Sequence, residues 1–169
     1  LHKLTPPVMK ALLDSGDVKL DGIICPGHVS TVIGARPYEF IPQNYGIACA
    51  ITGFEPLDIL EGIHMLVRQI ESGTPTVEIA YRRAVRPEGN LKALDLMNKV
   101  FTVGSAWWRG IGEVPGSGLK LREEYRAFDA ATVFQLTPQD AAEPAGCLCG
   151  EILRAVKTPL DCPLFRKKC

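Results

Sequence analysis

Between Ile47 and Ile51 the chain reads Ile-Ala-Cys-Ala-Ile, and a run with no polar side chain suits a strand covered on both faces. Thr52-Gly53-Phe54-Glu55 follows, and Pro56 then opens a helix at the one turn where a missing N–H does no harm. In that helix Leu60, Ile63, Leu66 or Val67, and Ile70 predict a single apolar face. Asp58 stands in the positive first turn and Gly73 marks the far end. Strand, glycine loop and amphipathic helix in that order make half of a parallel α/β repeat.

The same order stands upstream. Leu20-Asp-Gly-Ile-Ile-Cys25 is a brief apolar run broken by Pro26-Gly27, and Val29 to Gly34 can form a helical turn. Before it, Thr5-Pro6-Pro7 offers an N-cap and a proline start to a short helix carrying Val8, Met9, Leu12 and Leu13, ended by Gly16. Two such units in succession predict a parallel-sheet, Rossmann-like α/β domain, partial in this chain, over residues 1–103. Within it Val77 to Val85 fits a strand or a helix, and Glu88 to Val100 reads as a helix from Leu91, Leu94, Met97 and Val100 or Phe101. From Gly104 to Gly118 glycines and a proline surround Trp107-Trp108-Arg109, which predicts loops and short strands. Residues 104–146 read as an irregular Gly/Pro-rich segment, with Thr137 to Gly146 leading into a cysteine-rich region at 147–169.

Nineteen basic and nineteen acidic side chains cancel, so the chain lacks the basic field of a general nucleic-acid binder. No stretch of about 18 apolar residues offers a membrane span, and the first residues lack the order of a signal peptide. These features predict a cytoplasmic protein. A start at Leu1 rather than methionine, and an end on Cys169, read as a piece of a longer chain.

In an open parallel sheet, ligands bind beyond the carboxyl ends of the strands, where loops meet helix N-termini with unpaired N–H groups. Both glycine-bearing loops fall there. Pro26-Gly27-His28-Val29-Ser30 presents an imidazole and a hydroxyl, and Gly53-Phe54-Glu55-Pro56 presents a carboxylate. Gly27, His28, Gly53 and Glu55 are therefore candidate binding residues, and His28, Ser30 and Glu55 candidate cleft residues. The plainer alternatives are a loop histidine bonded to a carbonyl and a helix-cap carboxylate. Neither loop carries a phosphate-binding signature. Cys25 and Cys49 fall in predicted strands, where a buried thiol behaves as a small hydrophobe.

Four of the six cysteines crowd the end as Cys147, Cys149, Cys162 and Cys169, spaced C-x-C-x12-C-x6-C. The spacing lacks the paired C-x2-C knuckles of most structural zinc sites, and Pro163 follows Cys162 as proline follows the last cysteine of many ferredoxin runs. Iron–sulfur ligation leads, with a zinc-held interaction module without redox role as the alternative and a disulfide net behind both. Arg166-Lys167-Lys168 would ease ligation if its charge lay beside the thiolates.

Several segments together carry a resemblance. They are Cys25-Pro-Gly-His28-Val-Ser-Thr-Val-Ile-Gly34 with Tyr38-Glu-Phe40, Gly53-Phe-Glu-Pro-Leu-Asp58 with Met65-Leu, Trp108-Arg-Gly-Ile-Gly112, Cys149-Gly-Glu151-Ile-Leu and Cys162-Pro-Leu-Phe165. In order, from Leu1 to Cys169, they resemble the HypD family of [NiFe]-hydrogenase maturation factors, in its central-to-C-terminal portion. The resemblance implies two α/β domains and a third region holding a [4Fe–4S] cluster. It also implies a scaffold for assembly of the Fe(CN)2CO moiety rather than a conventional turnover enzyme. That scaffold works with a HypC-type chaperone and a HypE-type cyanide donor, without nucleic acid or membrane. The family's Cys-Gly-Gly-His-Thr-His segment, taken to hold the iron, and its redox-active Cys-x-x-Cys pair do not occur here. By position Cys149, Cys162 and Cys169 match cluster ligands, the remaining ligand belongs to a downstream Glu-Gly-Ala-Cys-type segment, and Cys147 is a bystander or a substitute. The loops around His28 and Glu55 then line the family's interdomain cleft, where the iron and its diatomic ligands are assembled.

Overall fold

A computed structural model describes residues 2–136 and 143–169. Of the connection expected over Thr137 to Gly146, residues 137–142 lie outside the described residues. In chain order the regular elements begin with β1 (His2–Lys3), α1 (Thr5–Leu13), β2 (Gly22–Pro26), α2 (Gly27–Ile33), α3 (Phe40–Tyr45) and β3 (Ala48–Thr52). They continue with α4 (Pro56–Ser72), β4 (Val77–Ile79), α5 (Leu91–Val100), β5 (Phe101–Trp108), β6 (Gly112–Leu121), α6 (Ala130–Val133) and α7 (Cys149–Leu153). They gather into two compact units, one of Leu20–Met97 and one of Leu1–Lys19 with Asn98–Cys169.

The Leu20–Met97 unit is α/β, with a parallel sheet of order β2-β3-β4. Central β3 is buried at every position, as its unbroken apolar run predicts, and pairs Ile23 with Cys49 on one side and Cys49 with Val77 on the other. Helix α4 packs on this sheet through Met65 and Leu66, which join Ala48, Ala50 and Ala80 in one apolar cluster. The buried side of α4 consists of Asp58, Gly62, Met65, Leu66 and Gln69. Leu60, Ile63, Val67 and Ile70, expected as its apolar face, are instead exposed, with Leu66 alone of that stripe packed inside. Small residues on the sheet cause the difference: Ala48 and Ala50 let the helix come so close that Gly62 abuts Thr52, which leaves no room for a branched side chain. Gln69 fixes the same register by polar contacts, donating to the Cys49 carbonyl at 3.3 Å and to Glu78 Oε1 at 2.9 Å, and accepting from the Thr76 N–H at 2.9 Å. Of the ambiguous Val77 to Val85 segment only Val77–Ile79 is strand, followed by turns.

The second unit holds an antiparallel sheet of order β1-β6-β5. Its hairpin of eight- and ten-residue strands replaces the loops and short strands expected from Gly104 to Gly118. The glycines are absorbed rather than excluded: Gly104 faces Gly118, and the register slips between Gly104 and Ala106. A polar pin helps hold the hairpin, since Trp108 Nε1 donates to Ser117 Oγ at 2.7 Å and Ser117, fully buried, donates to the Val114 carbonyl at 2.7 Å. Helix α1 starts at Thr5 without a side-chain cap, one residue earlier than a Thr5 N-cap requires, and buries Val8 and Leu13. Among the described residues no helix is long and apolar enough to cross a membrane.

Candidate functional site

Beyond the carboxyl ends of β2, β3 and β4 the chain brings together His28, Phe54, Glu55, Asp58, Tyr81 and Arg83. His28 lies in the first turn of α2, and Glu55 is the residue before α4, its backbone extended at φ −73° and ψ 146°. The exposed His28 ring meets Phe54 edge-on at 4.6 Å between centroids and lies 6.2 Å from Tyr81.

Two glycines make this convergence sterically feasible. A Cβ on Gly27 would fall 1.9 Å from the Thr52 carbonyl oxygen, and one on Gly53 would fall 2.0 Å from Asp58 Oδ2. Both would also press on the Tyr81 ring, at 3.0 and 2.9 Å. At both positions, candidate binding residues by sequence, the absence of a side chain lets the strand ends pack against each other and against Tyr81.

Asp58 is buried to 5% exposure and receives a two-pronged ion pair from Arg83, Nη1 to Oδ1 at 2.6 Å and Nη2 to Oδ2 at 2.7 Å. That hydrogen-bonded guanidinium holds the Asp58 carboxyl below the usual carboxylate range, against the opposite pull of burial, and the carboxylate in turn raises the affinity of Arg83 for its proton. Arg83 also reaches Glu55 Oε1 at 3.0 Å and sits 4.5 Å over the Tyr81 ring. Ser30 is fully buried and donates to the Pro26 carbonyl at 2.8 Å, so its hydroxyl is engaged inside α2. Tyr81 and Arg83 were not among the sequence candidates. The available signal was a short strand followed by an aromatic and a cation, but Val77 to Val85 fitted two elements equally well. Elsewhere in this unit an open cavity of about 420 Å³ between Thr31 and Lys92 shares no lining residue with the cluster.

The cysteine region belongs to the other unit. At the β5–β6 turn the Gly110 N–H donates to Glu143 Oε1 at 2.5 Å, and the Gly150 backbone lies directly against the Gly110 carbonyl. This contact seats the start of α7 on the hairpin. Cys147 accepts from the backbone N–H of Cys149 and then from its thiol, and with Arg109 nearby its thiol is pushed below the ordinary range, against burial and the Glu143 charge. Cys149 is pushed up, first because its thiol donates to Cys147 and then by burial, with Cys169 close enough to add to the effect. Arg109 is a cation beside Cys147 and Cys149, and Arg166 lies over the Phe165 ring at 5.3 Å. Cys162 is buried at the end of the Pro159–Asp161 turn, and all six cysteines are free thiols. Cys25 and Cys49 are wholly buried on adjacent strands, where contact between the two thiols, then burial, raises Cys25 far above the ordinary range.

Thiol sulfur is the soft donor that iron–sulfur clusters and zinc both accept, so the donor chemistry suits either. Cys147, Cys149 and Cys169 share one neighbourhood, although among the described residues no three His, Cys, Asp or Glu groups are arranged to hold a metal ion.

The sequence profile of HypD, described as the hydrogenase formation hypA family, matches residues 1–169. The hydrogenase expression/formation protein HupD of Azotobacter chroococcum mcd 1 is 47% identical over 174 residues, covering 99% of this chain and 46% of that protein. A putative hydrogenase expression/formation protein of Methanocaldococcus jannaschii is 45% identical over 168 residues, covering 99% and 47%. The hydrogenase maturation factor HypD of Cupriavidus necator is 44% identical over 175 residues, covering 99% and 46%. The chain thus spans about half the length of these relatives. Matched along its whole length by that profile and by relatives from bacteria and an archaeon, the chain belongs to the HypD family.

Proposed function

We propose that this chain is part of a cytoplasmic scaffold on which the Fe(CN)2CO unit of [NiFe]-hydrogenase is assembled, together with a HypC-type chaperone and a HypE-type cyanide donor. The observation that carries the reading is the strand-end cluster, in which a histidine and a carboxylate of a HypD-family chain converge beyond adjoining parallel strands. A cyanide bound to iron keeps electron density on its nitrogen and accepts hydrogen bonds. His28 has an exposed ring N–H to offer, and the first turn of α4 has backbone N–H groups without helical partners. Arg83 is already engaged by two carboxylates, so recognition at this rim runs through hydrogen-bond donors rather than through a bare cation.

Cys149, Cys162 and Cys169, with Cys147 as the substitute, are the residues that would hold a [4Fe–4S] cluster. When bound, such a cluster supplies or relays electrons. Within the chain the Cys149 N–H and thiol, with Arg109 nearby, stabilise negative sulfur at Cys147, whereas Cys149 is pushed toward its protonated form. The test is anaerobic purification of the full-length protein that contains this segment. Stoichiometric iron and labile sulfide with a broad visible absorption band are expected. A colourless protein carrying zinc would replace the redox role with that of a structural interaction module. In the same protein, His28→Ala and Glu55→Gln are expected to lower hydrogenase maturation without lowering the cluster content.

A further inference from the structure

Arg83 touches residues that follow β3 and β4, and through Tyr81 it bears on His28, which follows β2. Its fork to Asp58 is closed at 2.6 and 2.7 Å, its Nη2 lies 3.0 Å from Glu55, and its guanidinium covers Tyr81 at 4.5 Å. The Tyr81 ring fills the space that a side chain at Gly27 or Gly53 would take, and it flanks His28 at 6.2 Å. The two ion pairs are unequal. Asp58 is buried and needs its partner, because a buried carboxylate left alone is strongly destabilising. Glu55 is largely exposed, and ion pairs at the surface hold little energy of their own. The buried fork therefore fixes the guanidinium, and the fixed guanidinium sets where the exposed carboxylate rests.

We propose that Arg83 is a positioning residue for the strand-end site. Anchored on Asp58, it orients the Glu55 carboxylate and the Tyr81 ring beside His28. This rests on the reading that the iron-bound cyanides are met at this rim by the His28 ring N–H and the first-turn N–H groups of α4, with the Glu55 carboxylate held beside them by Arg83. Arg83 acts through those groups and not as an anion anchor, since its charge already faces two carboxylates. The planar fork is essential to the role, and a lysine cannot reproduce it.

The experiment uses the full-length maturation factor carrying its iron unit and reads the infrared stretching bands of the bound cyanides, with thermal unfolding and hydrogenase maturation measured beside them. His28→Ala and Glu55→Gln are expected to shift the bands. Arg83→Gln is expected to shift them too and to lower maturation by roughly 10- to 100-fold, as the loss of a residue that orients a metal-site group does. Arg83→Lys, which keeps a cation for Asp58 and so guards against unfolding, is expected to leave the bands shifted. The double variant Arg83→Gln/Glu55→Gln is expected to lose little more than either single one. Bands that move with His28→Ala and Glu55→Gln but stay in place in both Arg83 variants overturn the positioning role and leave the site reading intact. Full recovery in Arg83→Lys also overturns it, because charge alone would then suffice. Bands unmoved by His28→Ala, Glu55→Gln and Arg83→Gln alike overturn the site reading and the inference together.

Discussion

At the scale of single residues, the strand-end cluster depends on what two glycines leave out. Gly27→Ala places a methyl 1.9 Å from a backbone oxygen that cannot swing aside, and Gly53→Ala places one 2.0 Å from the buried Asp58 carboxylate. Each change is expected to cost about 1–3 kcal/mol, the usual penalty for overfilling a packed site, and thermal unfolding followed by circular dichroism measures it. Asp58 supplies a pH dependence of definite sign. Its carboxyl is held below the unfolded value of about 3.9, so its contribution is fully present above that pH and fades as pH falls through the lower folded value. Urea midpoints of the wild-type chain are therefore expected to drop on acidification below about pH 4. Asp58→Asn should show less of that drop and a lower midpoint at neutral pH.

At the scale of elements, helix α4 separates two kinds of apolar residue. Met65→Ala opens a hole in the cluster with Ala48, Ala50, Leu66 and Ala80 and is expected to cost about 2–5 kcal/mol. Ile63→Ser and Val67→Ser, on the exposed side, are expected to stay within about 0.5 kcal/mol in this 169-residue chain, as denaturant titration can check. The contrast shows what periodicity conveys. Strand β3 and the ends of α4 were legible, because an unbroken apolar run, Pro56 and Gly73 each admit few alternatives. The buried side of α4 was not, because the alanines and Gly62 that set the contact are too small to register as hydrophobic signal, and Gln69 registers as polar. The hairpin was hidden for a related reason: glycines count as breakers until a partner strand absorbs them. His28, Gly53 and Glu55 could be found because they follow recognisable strands. Arg83 follows a strand of three residues, too short to announce itself.

At the scale of the whole molecule, one unit is continuous in sequence and the other is not. Residues 20–97 hold the three-stranded parallel sheet and every residue of the strand-end cluster. Expressed alone, they are expected to give dispersed amide resonances and a helical far-ultraviolet spectrum, whereas deleting residues 1–19 is expected to weaken the other unit. That deletion removes β1, α1 and the 2.8 Å bond from the Leu4 N–H to the Ser117 carbonyl. The pairing of His2 with Leu119 has a further consequence during protein synthesis. At about 5–20 residues per second, the ribosome takes on the order of ten seconds to make the stretch between those partners. For that interval β1 has no mate, and the whole of residues 20–97 is made before its partner.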